Sequence, residues 1–87
     1  MNGINVLTFG VMLRKIRIEK GISLRDLAKR IGEYPSNLSN IENGVRQPWK
    51  RPDVYLELRK AMELSINEFE SLMLLCPSYV ELKAILK

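Results

Sequence analysis

The chain has 87 residues, 46% of them apolar and 28% charged, the size and composition of one small folded unit rather than of a disordered or fibrous chain. With no histidine and one cysteine, Cys76, it lacks the parts for an internal disulfide or a four-ligand zinc site, and the commonest general base is missing. No apolar run approaches the roughly 18 to 20 residues of a membrane span, and Met1 to Thr8 carries no basic leader of the secretory type. The expectation is a cytoplasmic single domain over residues 1–87, with no catalytic residues, metal or cofactor.

Charge is unevenly placed. Residues 1–60 hold twelve basic and six acidic side chains, residues 61–87 two basic and four acidic, and the whole carries +4. A basic body with a mildly acidic tail points to a polyanionic partner for the body and a separate role for the tail, with an ordinary solvated surface as the alternative.

In chain order, Phe9, Met12, Leu13, Ile16 and Lys20 recur at helical spacing, so helix 1 is expected from a Thr8 cap to Lys20, stopped by Gly21. Ser23 opens helix 2, Leu24 to Ile31, with Asp26 three residues after the cap and Leu27, Ala28 and Ile31 inward; Gly32 ends it. Pro35 suits the first turn of helix 3, which is expected to run to Asn43 and to close at Gly44. Leu38 and Ile41 point inward there, while Ser36, Asn37, Ser39, Asn40 and Asn43 make an uncharged polar face. Ser and Asn are poor helix formers because they compete for backbone hydrogen bonds, so a helix so rich in them implies a contact for those amides and hydroxyls.

Val45 to Pro52 reads as an extended basic loop, with Pro48, Trp49 and Pro52 among Arg46, Gln47, Lys50 and Arg51. Asp53 or a neighbour begins helix 4, with Val54, Leu58, Ala61 and Met62 inward. Ser65 and Glu68 form a capping box for helix 5, whose stripe is Ile66, Phe69, Leu72, Met73 and Cys76. Pro77 breaks that helix, and Ser78 with Glu81 starts a short sixth helix, Tyr79 to about Leu86.

Two short helices joined by a tight Gly-containing turn, the second polar on one face and followed by a basic loop, describe a helix-turn-helix unit over about residues 23–43. Gly-Ile-Ser-Leu-Arg-Asp-Leu-Ala-Lys-Arg-Ile-Gly at 21–32, followed by Pro-Ser-Asn-Leu-Ser-Asn-Ile-Glu-Asn-Gly at 35–44, resembles the Cro/C1-type family of phage repressors and bacterial regulators across roughly residues 9–75. The resemblance implies an all-α, lambda-repressor-like five-helix domain, here with an additional short C-terminal helix, that binds operator DNA as a homodimer.

It also implies roles. Ser36, Asn37 and Asn40 are the candidates for base contact, since Asn reads adenine in bidentate fashion in the major groove. Ser39, Asn43, Arg46 and the backbone N–H groups near Gly44 and Val45 are the candidates for phosphate, with Lys50 and Arg51 extending that set. Arg17 and Glu42 stand where the family often buries an ion pair joining helix 1 to helix 3. Leu24 occupies a position usually held by a polar phosphate contact, which leaves Arg25 as the candidate there. Glu33 replaces a customary apolar residue, Tyr34 a Ser or Thr cap, and the loop 45–53 is about two residues longer than in many relatives. Trp49 in that loop is either a lid packed on helix 4 or a contact beside the DNA backbone.

Near the C-terminus, Leu74, Leu75, Tyr79, Leu82 and Leu86 supply more apolar area than a short terminal helix hides by itself. Dimerisation through the helices at about 65–86 is expected, with helix 6 folding back on its own subunit as the alternative. The functional expectation is a sequence-specific, double-stranded DNA-binding transcriptional regulator, a repressor. The alternative from another class is an antitoxin-type protein-interaction module that neutralises a protein partner and touches DNA only to autoregulate.

Overall fold

Ser23 and Ser65 show how this sequence starts its helices. Ser23 Oγ accepts the Asp26 N–H at 3.1 Å. Ser65 Oγ accepts the Glu68 N–H at 3.1 Å while the Glu68 carboxylate accepts the Ser65 N–H at 2.9 Å, so donors that no helix can satisfy for itself find acceptors. The computed structural model describes the backbone of residues 2–76 and the side chains of residues 8–76. Its five helices are α1 (Asn2–Glu19), α2 (Leu24–Ile31), α3 (Pro35–Glu42), α4 (Pro52–Met62) and α5 (Ile66–Met73), with no strand among the described residues. The all-α, lambda-repressor-like class expected from the sequence is the one observed.

Helices α3 and α4 start without a side-chain cap, at Tyr34 and Arg51, and each has a proline in its first turn instead, where the missing N–H costs nothing. Between α2 and α3 the chain reverses at Gly32, whose φ of 72° is the left-handed conformation that glycine adopts without strain. Helix α1 begins at Asn2 rather than at Thr8. The preceding residues contain no proline to stop a helix, and a lone threonine is a weak start signal beside that continuity. The expected sixth helix, Tyr79 to Leu86, lies outside the described residues.

The core joins all five helices: Phe9, Leu13 and Ile16 meet Leu27, Ala28, Ile31, Leu38, Ile41, Val54, Leu58, Met62, Leu72 and Met73. Each large side chain taken fully out of water contributes about 1.5–3 kcal/mol before entropy is counted. The stripes on α1 to α4 are largely those expected, with differences at their edges. Ile66, placed in the stripe of α5, is 66% exposed, and the apolar face of that helix begins one turn later at Phe69. Lys20 is exposed and pairs with Glu68 at 3.2 Å, linking the end of α1 to α5. Tyr55 is fully buried because its polar tip is satisfied: the hydroxyl donates to the Trp49 carbonyl and lies 3.3 Å from Cys76 Sγ. Burial, together with the Cys76 contact, pushes that phenol well above its usual range.

Two features hold α3 in place. At Gly10 a Cβ would stand within 2.5 Å of the Glu42 carbonyl oxygen and nearer still to that of Ile41, so α1 and α3 touch backbone to backbone. On the other side α2 packs against both α3 and α4, and Arg30 donates to the Ala61 carbonyl at 2.9 Å, fastening α2 to the end of α4.

Candidate nucleic-acid interface

The polar face of α3 results from its own sequence. With Leu38 and Ile41 almost fully buried, helical spacing turns Ser36, Asn40 and Asn43 to solvent, while Asn37 and Ser39 are half-buried. Asn40 makes no side-chain hydrogen bond among the described residues and lies exposed. Its carbonyl accepts the N–H groups of Val45 at 2.9 Å and Arg46 at 3.1 Å, so the basic loop is tied to the end of the helix. Gly44 donates to the Ile41 carbonyl at 3.1 Å. The amides expected to meet phosphate near Gly44 and Val45 are therefore already engaged with α3, because closing the helix there consumes them. What remains outward at Val45 is its side chain, 76% exposed.

Beneath this face lies a buried ion pair. Arg17 Nε donates to Glu42 Oε2 at 2.7 Å and its NH2 group to Oε1 at 3.0 Å, while NH1 donates to the Ile22 carbonyl at 2.9 Å. The two residues are 9% and 5% exposed. The Glu42 hydrogen bonds, against the opposing effect of burial, push the guanidinium above its ordinary value. A bidentate, fully hydrogen-bonded pair is the geometry in which buried charges are tolerated, and it fixes distance and angle together. It links the last residue of α3 to α1 and to the turn ahead of α2.

A second polar network borders the front of α3. Glu33 Oε1 accepts the Tyr34 N–H at 2.9 Å and Asn37 Nδ2 at 3.1 Å, and Glu33 Oε2 accepts Trp49 Nε1 at 2.7 Å. Asn37 Oδ1 in turn accepts Arg46 NH1 at 2.9 Å. Partial burial raises the Glu33 carboxyl, but the hydrogen bonds from Trp49, Tyr34 and Asn37, with the nearby Arg46 charge, outweigh it and hold the group below the usual carboxylate range. Trp49 is only 9% exposed and packs edge-on against Tyr55, ring centroids 5.9 Å apart. Of the two roles open to it, the structure shows the one packed on α4.

Around these groups is an open cleft lined by Tyr34, Asn37, Arg46, Gln47, Lys50 and Arg51, with Glu33 as the one acid on its wall. The structure thus brings Asn37, Arg46, Lys50 and Arg51 to one cleft, with Ser36 and Asn40 exposed on the same helix as Asn37, whereas Asn43, whose Nδ2 lies 3.5 Å from Ser39 Oγ, borders a separate cleft beside Arg14 and Lys15 of α1. Arg25 is exposed near the start of α2, and Leu24 beside it packs on the core. Among the residues expected at a dimer interface, Leu74 is 64% exposed and Leu75 half-buried; Tyr79, Leu82 and Leu86 lie outside the described residues.

Sequence reasoning left two positioning elements unassigned. Gly10 had a usable signal, an isolated glycine inside a helical pattern, which carries a propensity cost and so hints at a packing reason. Glu33 stood out only as a departure from a pattern, and nothing in the spacing of Glu33, Asn37, Arg46 and Trp49 predicts that they meet.

No helix of the described residues is long and apolar enough to cross a membrane, and no cluster of three potential metal ligands occurs among them. A family model described as helix-turn-helix matches residues 13–69, well over half of the chain and the whole of α2, α3 and α4. No curated protein matches the sequence.

Proposed function

We propose, from the premise that this chain belongs to the Cro/C1-type helix-turn-helix family and is a DNA-binding transcriptional regulator, that it is a repressor which reads a specific double-stranded operator as a homodimer. The reading is carried by one observation: the uncharged polar helix α3, with Ser36 and Asn40 exposed, shares a cleft at Asn37 with the exposed cations Arg46, Lys50 and Arg51. Base edges in the major groove present donors and acceptors that amides and hydroxyls can match, while phosphates are met by cations.

In this reading α3 enters the major groove. Asn40 and Ser36 take the bases; Arg46, Lys50, Arg51, Arg25 and Asn43 take the flanking phosphates, with Ser39 at the edge of contact. Exposed Leu74 and half-buried Leu75, at the end of α5, supply the start of an apolar surface for the second subunit. Two copies related by a two-fold axis set their recognition helices about 34 Å apart, one turn of duplex, so the operator is a near-palindrome and repression follows from occupying promoter DNA.

Selection of bound duplexes from a random pool, with stoichiometry measured by light scattering, tests this. Two half-sites spaced about one turn and a mass of two chains per duplex are expected. Enrichment of no sequence overturns specific recognition, and one chain on an unrepeated site overturns the homodimer. Co-purification with a protein encoded next to it, at the expense of DNA binding, supports the protein-interaction module instead.

A further inference from the structure

We infer that Glu33 is a positioning residue for DNA recognition: its carboxylate locks the Asn37 amide so that Asn37 holds Arg46 beside α3 instead of reading a base. The inference rests on the DNA-binding reading and assigns base contact at the front of α3 to Ser36 and Asn40.

The orientation of Asn37 follows from its partners. A carboxylate only accepts hydrogen bonds and a guanidinium only donates them, so the Asn37 NH2 must face Glu33 and its oxygen must face Arg46, as the 3.1 Å and 2.9 Å separations require. Bidentate reading of adenine needs both ends of one amide turned to the same base edge, and each end of Asn37 is already committed to a partner that fixes the plane of the amide. Asn40, one turn further along, has both ends free of side-chain partners among the described residues.

Glu33 is itself anchored. Its second oxygen accepts the indole N–H of Trp49, which is buried against Tyr55 of α4. A continuous chain therefore runs from the core through Trp49, Glu33 and Asn37 to the guanidinium of Arg46, whose remaining donors stay available for phosphate. Ordering a long cationic side chain before binding removes an entropic cost that would otherwise fall on association.

The alternative role for Glu33 has the opposite sign. A carboxylate on the wall of a cationic cleft repels a polyanion, so on Coulomb grounds alone its neutralisation tightens binding to every duplex. Positioning predicts that the same change weakens binding.

The test uses the full chain, a duplex selected from a random pool by the wild-type protein, and a duplex of unrelated sequence. Glu33→Gln is expected to weaken binding to the selected duplex about tenfold, the scale of one charge-assisted hydrogen bond. In an Arg46→Ala background the same substitution is expected to change affinity by less than about twofold, because the group it positions is gone. Without DNA, the emission of Trp49, the chain's only tryptophan, is expected to change in Glu33→Gln. Equal or tighter binding by Glu33→Gln overturns the inference, as does an equal loss in the Arg46→Ala background. Circular dichroism and thermal unfolding establish that the variant folds. Should it not, Asn37→Ala breaks the same chain at its half-exposed link: an Arg46-dependent loss with unchanged base preference supports the inference, and an altered base preference overturns it. Failure of the wild-type chain to bind any duplex removes the DNA-binding reading itself, an outcome distinct from either of these.

Discussion

Asn37 and Asn40 sit three residues apart on one helix and have different surroundings. Asn40 is exposed and unengaged at its side chain, whereas Asn37 is clasped between Glu33 and Arg46. Substituting Asn40→Ala is expected to cost about 1–3 kcal/mol on the selected duplex and to relax preference at one base pair, while Arg46→Ala weakens all duplexes and reduces the salt slope by about one unit. Quantitative binding at several salt concentrations separates the two; equal losses for Asn40→Ala on cognate and unrelated DNA would remove it from the reading set. The Glu33 network also gives a pH dependence with a definite sign. Its carboxyl is held below the ordinary range in the folded chain, so its stabilisation is complete above the unfolded value and is lost as pH falls through the folded one. Trp49 emission is expected to shift as pH falls below the ordinary carboxylate range, and Glu33→Gln is expected to abolish that shift while the chain is still folded; an unchanged titration in the variant contradicts it. Residue types on α3 were legible from sequence, since a Ser- and Asn-rich helix is unfavourable without a contact. Which of those amides is free was not, because it depends on a turn residue and a loop residue that come together only in three dimensions.

At the scale of elements, the disposition of α3 is set by two unlike contacts with α1: the Arg17–Glu42 pair and the backbone approach at Gly10. Removing one partner of the pair strands a charge that is nearly fully buried. Glu42→Ala is accordingly expected to lower unfolding free energy by about 3–5 kcal/mol, read from urea or thermal denaturation, and a change below 1 kcal/mol contradicts the architectural role. Gly10→Ala provides an independent check on the second contact. Alanine in a helix interior normally stabilises by up to about 1 kcal/mol relative to glycine, yet here its Cβ meets two carbonyl oxygens of α3. The expected outcome is a loss of about 1–3 kcal/mol with weaker DNA binding; a more stable protein would show that the two helices separate freely. Helix starts at Ser23 and Ser65 were readable because caps act within four residues. Longer-range packing was less so: the exposure of Ile66 and the burial of Tyr55 depend on neighbours far along the chain. Tyr55 is admitted to the core only because the Trp49 carbonyl and Cys76 receive its hydroxyl.

For the whole molecule, part of the basic excess of residues 1–60 becomes a located feature, since Arg46, Lys50 and Arg51 gather at one cleft with Asn37 of α3. The all-helical architecture was legible from periodicity and caps together, and the helix-turn-helix unit from the register of two short helices around Gly32. The occupant of the surface at exposed Leu74 was not, because an exposed apolar side chain does not state what covers it. The central claim is that α3 and the loop after it form the surface that meets the duplex. Backbone and side-chain amide NMR shifts during titration with a selected duplex test it most directly. The account predicts that the largest changes fall on residues 35–46 and on the Asn40 side-chain amide, with Lys50 and Arg51 following and the outer face of α4 around Leu56 unmoved. Changes centred on α4 or α5, with Asn40 silent, would contradict it.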